Sequence, residues 1–150
     1  MKNIFNQAVV NETINRIDKL TPDSQPLWGK MSVSNMLAHC NVAYEMVYED
    51  KHPKPNPIMK FIIKLIAKNS VVNEKPYPKG AMTSPAFIIK DACDFNKEKI
   101  RLINHITKTQ QLGESYFDKK ESHSFGVLTK GEWNNMFYKH LDHHLNQFGV

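Results

Sequence analysis

Cysteine is scarce in this chain. Cys40 and Cys93 are the only two among 150 residues, too few for a disulfide framework, and as free thiols they suit a reducing compartment. No run of about 18 uninterrupted apolar residues occurs, which excludes a transmembrane helix. The opening segment, Met1 to Gln7, lacks the apolar core of a signal peptide, so a cytoplasmic location is expected. Arg16 and Arg101 are the sole arginines, and neither sits in a basic cluster. The net charge of +5 therefore comes from scattered lysines without interleaved aromatics, a solvated basic surface and not a nucleic-acid site. Walker, G-x-G-x-x-G, H-E-x-x-H and G-x-S-x-G motifs are all missing.

What is present is a globular composition, 41% hydrophobic and 23% charged, of a length that makes a single domain over residues 1–150. Apolar residues recur at helical spacing in four long segments. The first spans about residues 6 to 20, with Val9, Val10, Ile14, Ile17 and Leu20, and breaks at Thr21–Pro26. The second begins after Ser32, a good N-cap, and carries Val33, Met36, Leu37, Cys40, Tyr44 and Val47 to about Tyr48. The third runs from Asp94 through Ile100, Ile103 and Ile106 to about Leu112, with Gly113 as its stop. The fourth opens on a capping box, Thr129 with Glu132, and continues through Trp133, Phe137, Leu141, His144 and Phe148.

Between the second and third lies a long crossover. Lys51–Pro57 holds three prolines and ends the second helix. A short helix from Ile58 to about Lys68 follows, with Lys60, Lys64 and Lys68 opposite Phe61, Ile62, Leu65 and Ile66. Such a pattern serves either a membrane-surface helix or one docked on the core with its lysines in water; the second is the ordinary reading. Residues 69 to 94 read as an irregular connection, long enough to be functional. Only Ala86–Ile89 could be extended, and no strand pair is expected. The reading is an all-α chain, a four-helix bundle with one long crossover and a short extra helix inside it.

Three of the seven histidines fall between positions 140 and 144. His140 and His144 are four residues apart, on one helical face and about 6 Å apart along the axis. They follow the apolar stripe, so each must find a polar partner: a metal, or a hydrogen-bond acceptor. His39 also faces inward, on the second helix. Three imidazoles from two facing helices make a catalytic-type metal site with an open position. His143 lies about 60° around the helix, at the edge of the stripe, where it could replace a neighbour or support one from behind. His123 is placed to approach the site mouth, while His52 and His105 are expected to face solvent. Cys40 points about 100° from His39 and reads as a small core residue. Glu-x-x-His is absent from both helices, against a di-iron site.

With these residues in hand, the chain resembles the DinB-like superfamily, which includes the YfiT-type metal-dependent hydrolases and the bacillithiol- or mycothiol-using transferases. The likeness is carried by Trp28-Gly-Lys-Met-Ser-Val-Ser-Asn-Met-Leu-Ala-His39 and most specifically by His140-Leu-Asp-His-His-Leu-Asn-Gln-Phe-Gly149, and it extends from about Ile14 to Val150. It is to an uncharacterised branch of that superfamily. The resemblance implies an up-down-down-up bundle and a divalent ion, nickel or zinc, on His39, His140 and His144. It further implies frequent dimerisation and a small-molecule substrate, including low-molecular-weight thiols, but it gives no activity.

Overall fold

The computed structural model describes residues 1–150. Five α-helices account for most of the chain: α1 (Gln7–Asp18), α2 (Val33–Tyr48), α3 (Pro57–Val72), α4 (Phe95–Phe117) and α5 (Lys130–Gln147). A 3-10 turn, Pro85–Phe87, precedes α4, and a two-residue antiparallel pair, β1 (Glu121–Ser122) with β2 (Gly126–Val127), precedes α5. This hairpin is not foreseen by the sequence reading. Its strands are too short to show an alternating pattern, and its register is held partly by the Ser122 hydroxyl donating to the Gly126 carbonyl at 2.9 Å.

The helix starts follow their caps. Ser32, Asn56, Asp94 and Thr129 each accept a hydrogen bond from the backbone N–H three residues on, and the Thr129–Glu132 capping box is complete. Gly113 breaks α4 as expected, with φ of 73°. The helix nevertheless resumes, because Phe117 beyond it is wholly buried against Phe5, Trp133 and Phe137.

Helix α2 is buried almost all round, from Met36 to Glu45, and packs along α4, against α5 and under the 3-10 turn. A helix buried on every side belongs in the middle of a core, and its polar residues His39, Asn41 and Glu45 must find their partners there. Leu37, Ile106, Phe137 and Leu141 are among the side chains that fill that core, each contributing about 1.5–3 kcal/mol by leaving water. The end of α5 is fixed from α1: the Arg16 guanidinium donates to Asp142 Oδ1 (2.7 Å), Asn146 Oδ1 (2.9 Å) and the Val150 carbonyl (2.9 Å).

Helix α3 corrects the expectation. It is longer than read, and its amphipathic faces are reversed. Lys60 and Lys68 turn toward the protein, paired with Glu121 and Glu132, and Lys64 alone of the three stays in water as expected, while Ile58, Met59, Phe61, Ile62, Leu65 and Ile66 face outward. Only Val72 of α3 is fully buried. No helix is long and apolar enough to cross a membrane.

Candidate metal centre

His39 and Cys40 sit in the middle of α2, His140 and His144 one turn apart on α5. Packing of these two helices brings three imidazoles together. Their ring centroids stand 4.8 Å (His39–His140), 4.5 Å (His39–His144) and 4.9 Å (His140–His144) apart. One ring nitrogen from each falls within 4.8 Å of the others, a group that could hold a metal ion. His39 and His144 are buried and His140 is partly accessible. The edge of Phe87, from the 3-10 turn, covers His39 and His140 at 5.4 and 5.7 Å.

The hydrogen bonds around the rings assign their tautomers. His39 Nδ1 lies 2.8 Å from the Phe87 carbonyl, which can only accept, so Nδ1 carries the proton and Nε2 is left with a lone pair. His144 Nδ1 lies 2.8 Å from Gln147 Oε1. That amide is itself oriented, because Gln147 Nε2 donates to the Trp28 carbonyl at 2.8 Å. Oε1 must therefore face His144, whose Nδ1 donates and whose Nε2 stays bare. Backbone carbonyls and side-chain amides placed behind ligating histidines commonly set the ring in this way. The third ring closes the cluster through His140 Nε2, 2.9 Å from His39 Nε2; since the latter lacks a proton, His140 donates.

Electrostatics keeps all three rings neutral, the form a metal requires. Burial lowers His39, and the neighbouring His143 adds to this against the Phe87 bond. Burial, then His144, His39 and His143, hold His140 well below the ordinary range. Burial and His39 push His144 down to about 3.

The other histidines are placed elsewhere. His143 makes edge contacts with Trp28 (5.9 Å), Tyr77 (5.7 Å) and His144 (5.1 Å) and lines a cavity of about 360 Å³ together with Trp28, Tyr77, Lys79 and Lys139. None of the three clustered histidines lines that cavity. His123 does not approach the cluster; its Nδ1 meets Ser124 and its Nε2 the His52 carbonyl. His52 and His105 do not simply face solvent. His52 bonds Glu45 Oε2 at 2.8 Å, and His105 bonds Asn41 Oδ1 at 2.9 Å while stacking on Tyr44 at 5.5 Å. Both belong to a polar network between α2 and α4 that also holds Glu98 and Arg101. Cys40 is buried, and burial pushes its thiol up, as suits a core residue.

Two supporting groups escape the sequence reading. Gln147 stands three residues after His144, a spacing at which helical side chains meet, so its role was legible in principle. Phe87 contributes a backbone carbonyl from an irregular segment, which no side-chain pattern reveals. Gly29 is also part of this frame: its φ is +82°, and a Cβ there would lie 2.8 Å from Gln147 Nε2.

No curated protein and no solved structure matches the chain. A family described as "Protein of unknown function (DUF1569)" matches residues 5–149. That match takes in α2, the connection bearing Phe87 and the whole histidine-bearing end, and the chain belongs to this family.

Proposed function

We propose that this protein binds a divalent metal ion, nickel or zinc, through the bare Nε2 atoms of His39 and His144 and a ring nitrogen of His140, whose Nε2 proton would leave that position if Nε2 is the ligand, and that it is a metal-dependent enzyme acting on a small molecule in the cytoplasm. The observation that carries the reading is the pair of fixed Nδ1 protons. Phe87 and Gln147 hold two rings with bare Nε2 atoms turned to a common centre, which an ordinary pair of core histidines does not need. Nitrogens around one ion at about 2.0–2.1 Å stand roughly 3.3 Å apart in tetrahedral geometry. The His39–His140 edge, 2.9 Å, is under that, while the separations reach up to 4.8 Å, well over it, so the rings would have to draw together around an ion.

A divalent ion on three histidines supplies charge that favours the deprotonated form of a thiol or water near neutral pH. The reaction class proposed is thiol transfer to an electrophile, or hydrolysis of an amide or ester. The chain's own residues supply the frame. Phe87 shields one side of the rings, and the cavity beside His143, of about 360 Å³, falls in the size range of small-molecule sites. Trp28 and Tyr77 give it aromatic walls, and Lys79 stands over the Trp28 ring at 4.5 Å. We also propose that α1, α2, α4 and α5 form an up-down-down-up bundle of the DinB-like type, as one domain.

A second reading draws on the His140–His39 hydrogen bond, which satisfies both rings without an ion. In that reading the protein is a non-catalytic binding module with structural histidines. Metal analysis of protein purified without a histidine tag separates the two, with His39→Ala and His140→Ala alongside. About one nickel or zinc per wild-type chain, lost in both variants, is the expected result. Equal metal content in all three would overturn the site.

A further inference from the structure

The cavity beside His143 carries more hydrogen-bond donors than the chain has partners for. Its walls come from three separate stretches: Trp28 ahead of α2, Tyr77 and Lys79 in the connection after α3, and His143 on α5. Trp28 and Tyr77 meet the His143 ring only edge to face, at 5.9 and 5.7 Å, and the Lys79 ammonium lies over the Trp28 ring at 4.5 Å. None of these four side chains makes a hydrogen bond within the chain. Trp28, Tyr77 and His143 are half-buried, yet the only side-chain polar atom sealed from solvent without a partner is the Tyr44 hydroxyl. Their polar atoms are therefore open to a ligand. All four groups can donate. Indole and ammonium do nothing else, and imidazole carries an N–H in either tautomer. Burial pushes the Tyr77 phenol up to about 12, so it keeps its proton. We propose that this cavity binds a flat, apolar small molecule bearing a single carboxylate, with Lys79 on the carboxylate and Trp28 and Tyr77 against the apolar part. The proposal rests on reading the cavity as a small-molecule site and does not depend on the metal.

Charge selects one carboxylate. Of the cations that line the cavity, only Lys79 is unspent. The Lys139 ammonium gives its three N–H groups to the Ser70 carbonyl (2.9 Å), the Asn73 carbonyl (2.6 Å) and Asn73 Oδ1 (3.0 Å). The Met1 ammonium faces Glu74 at 3.8 Å. Among the acids, Asp142 is taken by Arg16 at 2.7 Å, and Glu74 has the Met1 ammonium. One free positive charge matches one negative charge on the ligand. A dianionic phosphate would bring a second charge against Glu74 and Asp142 with no cation left to meet it, and like charges repel more strongly in a partly desolvated cavity than in water. A cationic ligand fares worse still, because no carboxylate is free and Lys79 already covers the Trp28 face. Shape comes from the flat surfaces of Trp28, Tyr77 and Pro76, against which an aromatic ring packs face or edge on with large apolar contact.

The two tryptophans of the chain provide the assay and its control. Trp28 lines the cavity, whereas Trp133 is buried in the core with its Nε1 donating to the Lys120 carbonyl at 3.3 Å. In protein labelled with heavy nitrogen, naphthoate is expected to shift the Trp28 indole N–H resonance saturably and to leave that of Trp133 in place. Naphthamide, its uncharged counterpart, should bind about ten-fold more weakly, the loss of one charge-assisted bond. Lys79→Met should bind the acid no better than wild type binds the amide; Lys79 is exposed, so the fold has no need of it. Absence of a saturable Trp28 shift with naphthoate overturns the cavity as a small-molecule site, and the proposal with it. Equal affinity for acid and amide, or undiminished naphthoate affinity in Lys79→Met, overturns the carboxylate and leaves the cavity standing. Tighter binding of naphthyl phosphate than of naphthoate overturns the single charge. Titrations of protein as purified and after chelator treatment are expected to agree. Metal content, measured separately, decides the metal reading, so the two fail apart.

Discussion

Replacing Gln147 by leucine tests the metal centre at its most specific point. Gln147 is 6% exposed and joins two partners, accepting from His144 Nδ1 and donating to the Trp28 carbonyl, both at 2.8 Å. Leucine fills similar space and satisfies neither. A buried polar group left unpaired costs about 1–3 kcal/mol, and with the half-buried Trp28 carbonyl counted at the low end stability should fall by roughly 2–4 kcal/mol. At about 2–4 °C per kcal/mol for a domain of this size, the melting temperature drops by about 5–15 °C. His144 also loses the acceptor that fixes its tautomer, and removing such support typically weakens metal binding 10- to 100-fold. Gln147→Glu keeps an acceptor and adds negative charge behind the ring, so it should bind metal at least as tightly as wild type despite leaving Trp28 without its donor. The assay is a competition titration against a chromogenic chelator on tag-free protein, with thermal melts of the metal-free forms. Wild-type affinity in a folded Gln147→Leu variant, or a Gln147→Glu variant as weak as Gln147→Leu, would refute coordination through His144 Nε2.

Gly29→Ala should destabilise by about 1–2 kcal/mol through its left-handed backbone and weaken metal binding by displacing Gln147; in a Gln147→Leu background the metal effect should largely vanish, which a double-mutant cycle measures. The buried Tyr44 hydroxyl has no hydrogen-bond partner, so Tyr44→Phe should raise stability by about 1 kcal/mol, read as a melting temperature about 2–4 °C higher. Burial would raise the Glu45 carboxyl, but bonds from His52 and Arg101 outweigh it and hold it low. Because the folded value is the lower one, the stabilisation is complete above the unfolded value near 4.3 and is lost as pH falls through the folded value. Acid melts of Glu45→Gln should therefore be flatter below about pH 4.3 than those of wild type.

The caps and breaks of the long helices were readable because each rests on local chemistry: Ser32, Asp94 and Thr129 act on amides three residues away. The histidine pair was readable for the same reason, and His39 joined it through inward spacing on a second helix. Helix α3 shows where this stops. Periodicity divides Pro57–Val72 into a basic and an apolar face, but it does not say which one turns inward. The long helices already fill the interior, so α3 meets the outer side of α5, where Glu132, together with Glu121 of β1, pairs with its lysines. His52 and His105 escaped for a related reason. Their partners, Glu45 and Asn41, lie on α2, and only the packed structure supplies them.

The reversed attachment of α3 also fixes how firmly the helix is held. Apart from Val72, which is buried, and Val71, packed on the core beside it, its hold on the rest of the chain is mostly polar. It comprises the two lysine–glutamate pairs and the Lys139 ammonium, which caps the helix end on the Ser70 and Asn73 carbonyls at 2.9 and 2.6 Å. Ion pairs near the surface weaken as salt shortens the Debye length, from about 10 Å at 0.1 M to about 3 Å at 1 M, whereas contacts between apolar faces do not. Helix α3 is therefore an element whose seating on its own chain loosens with ionic strength.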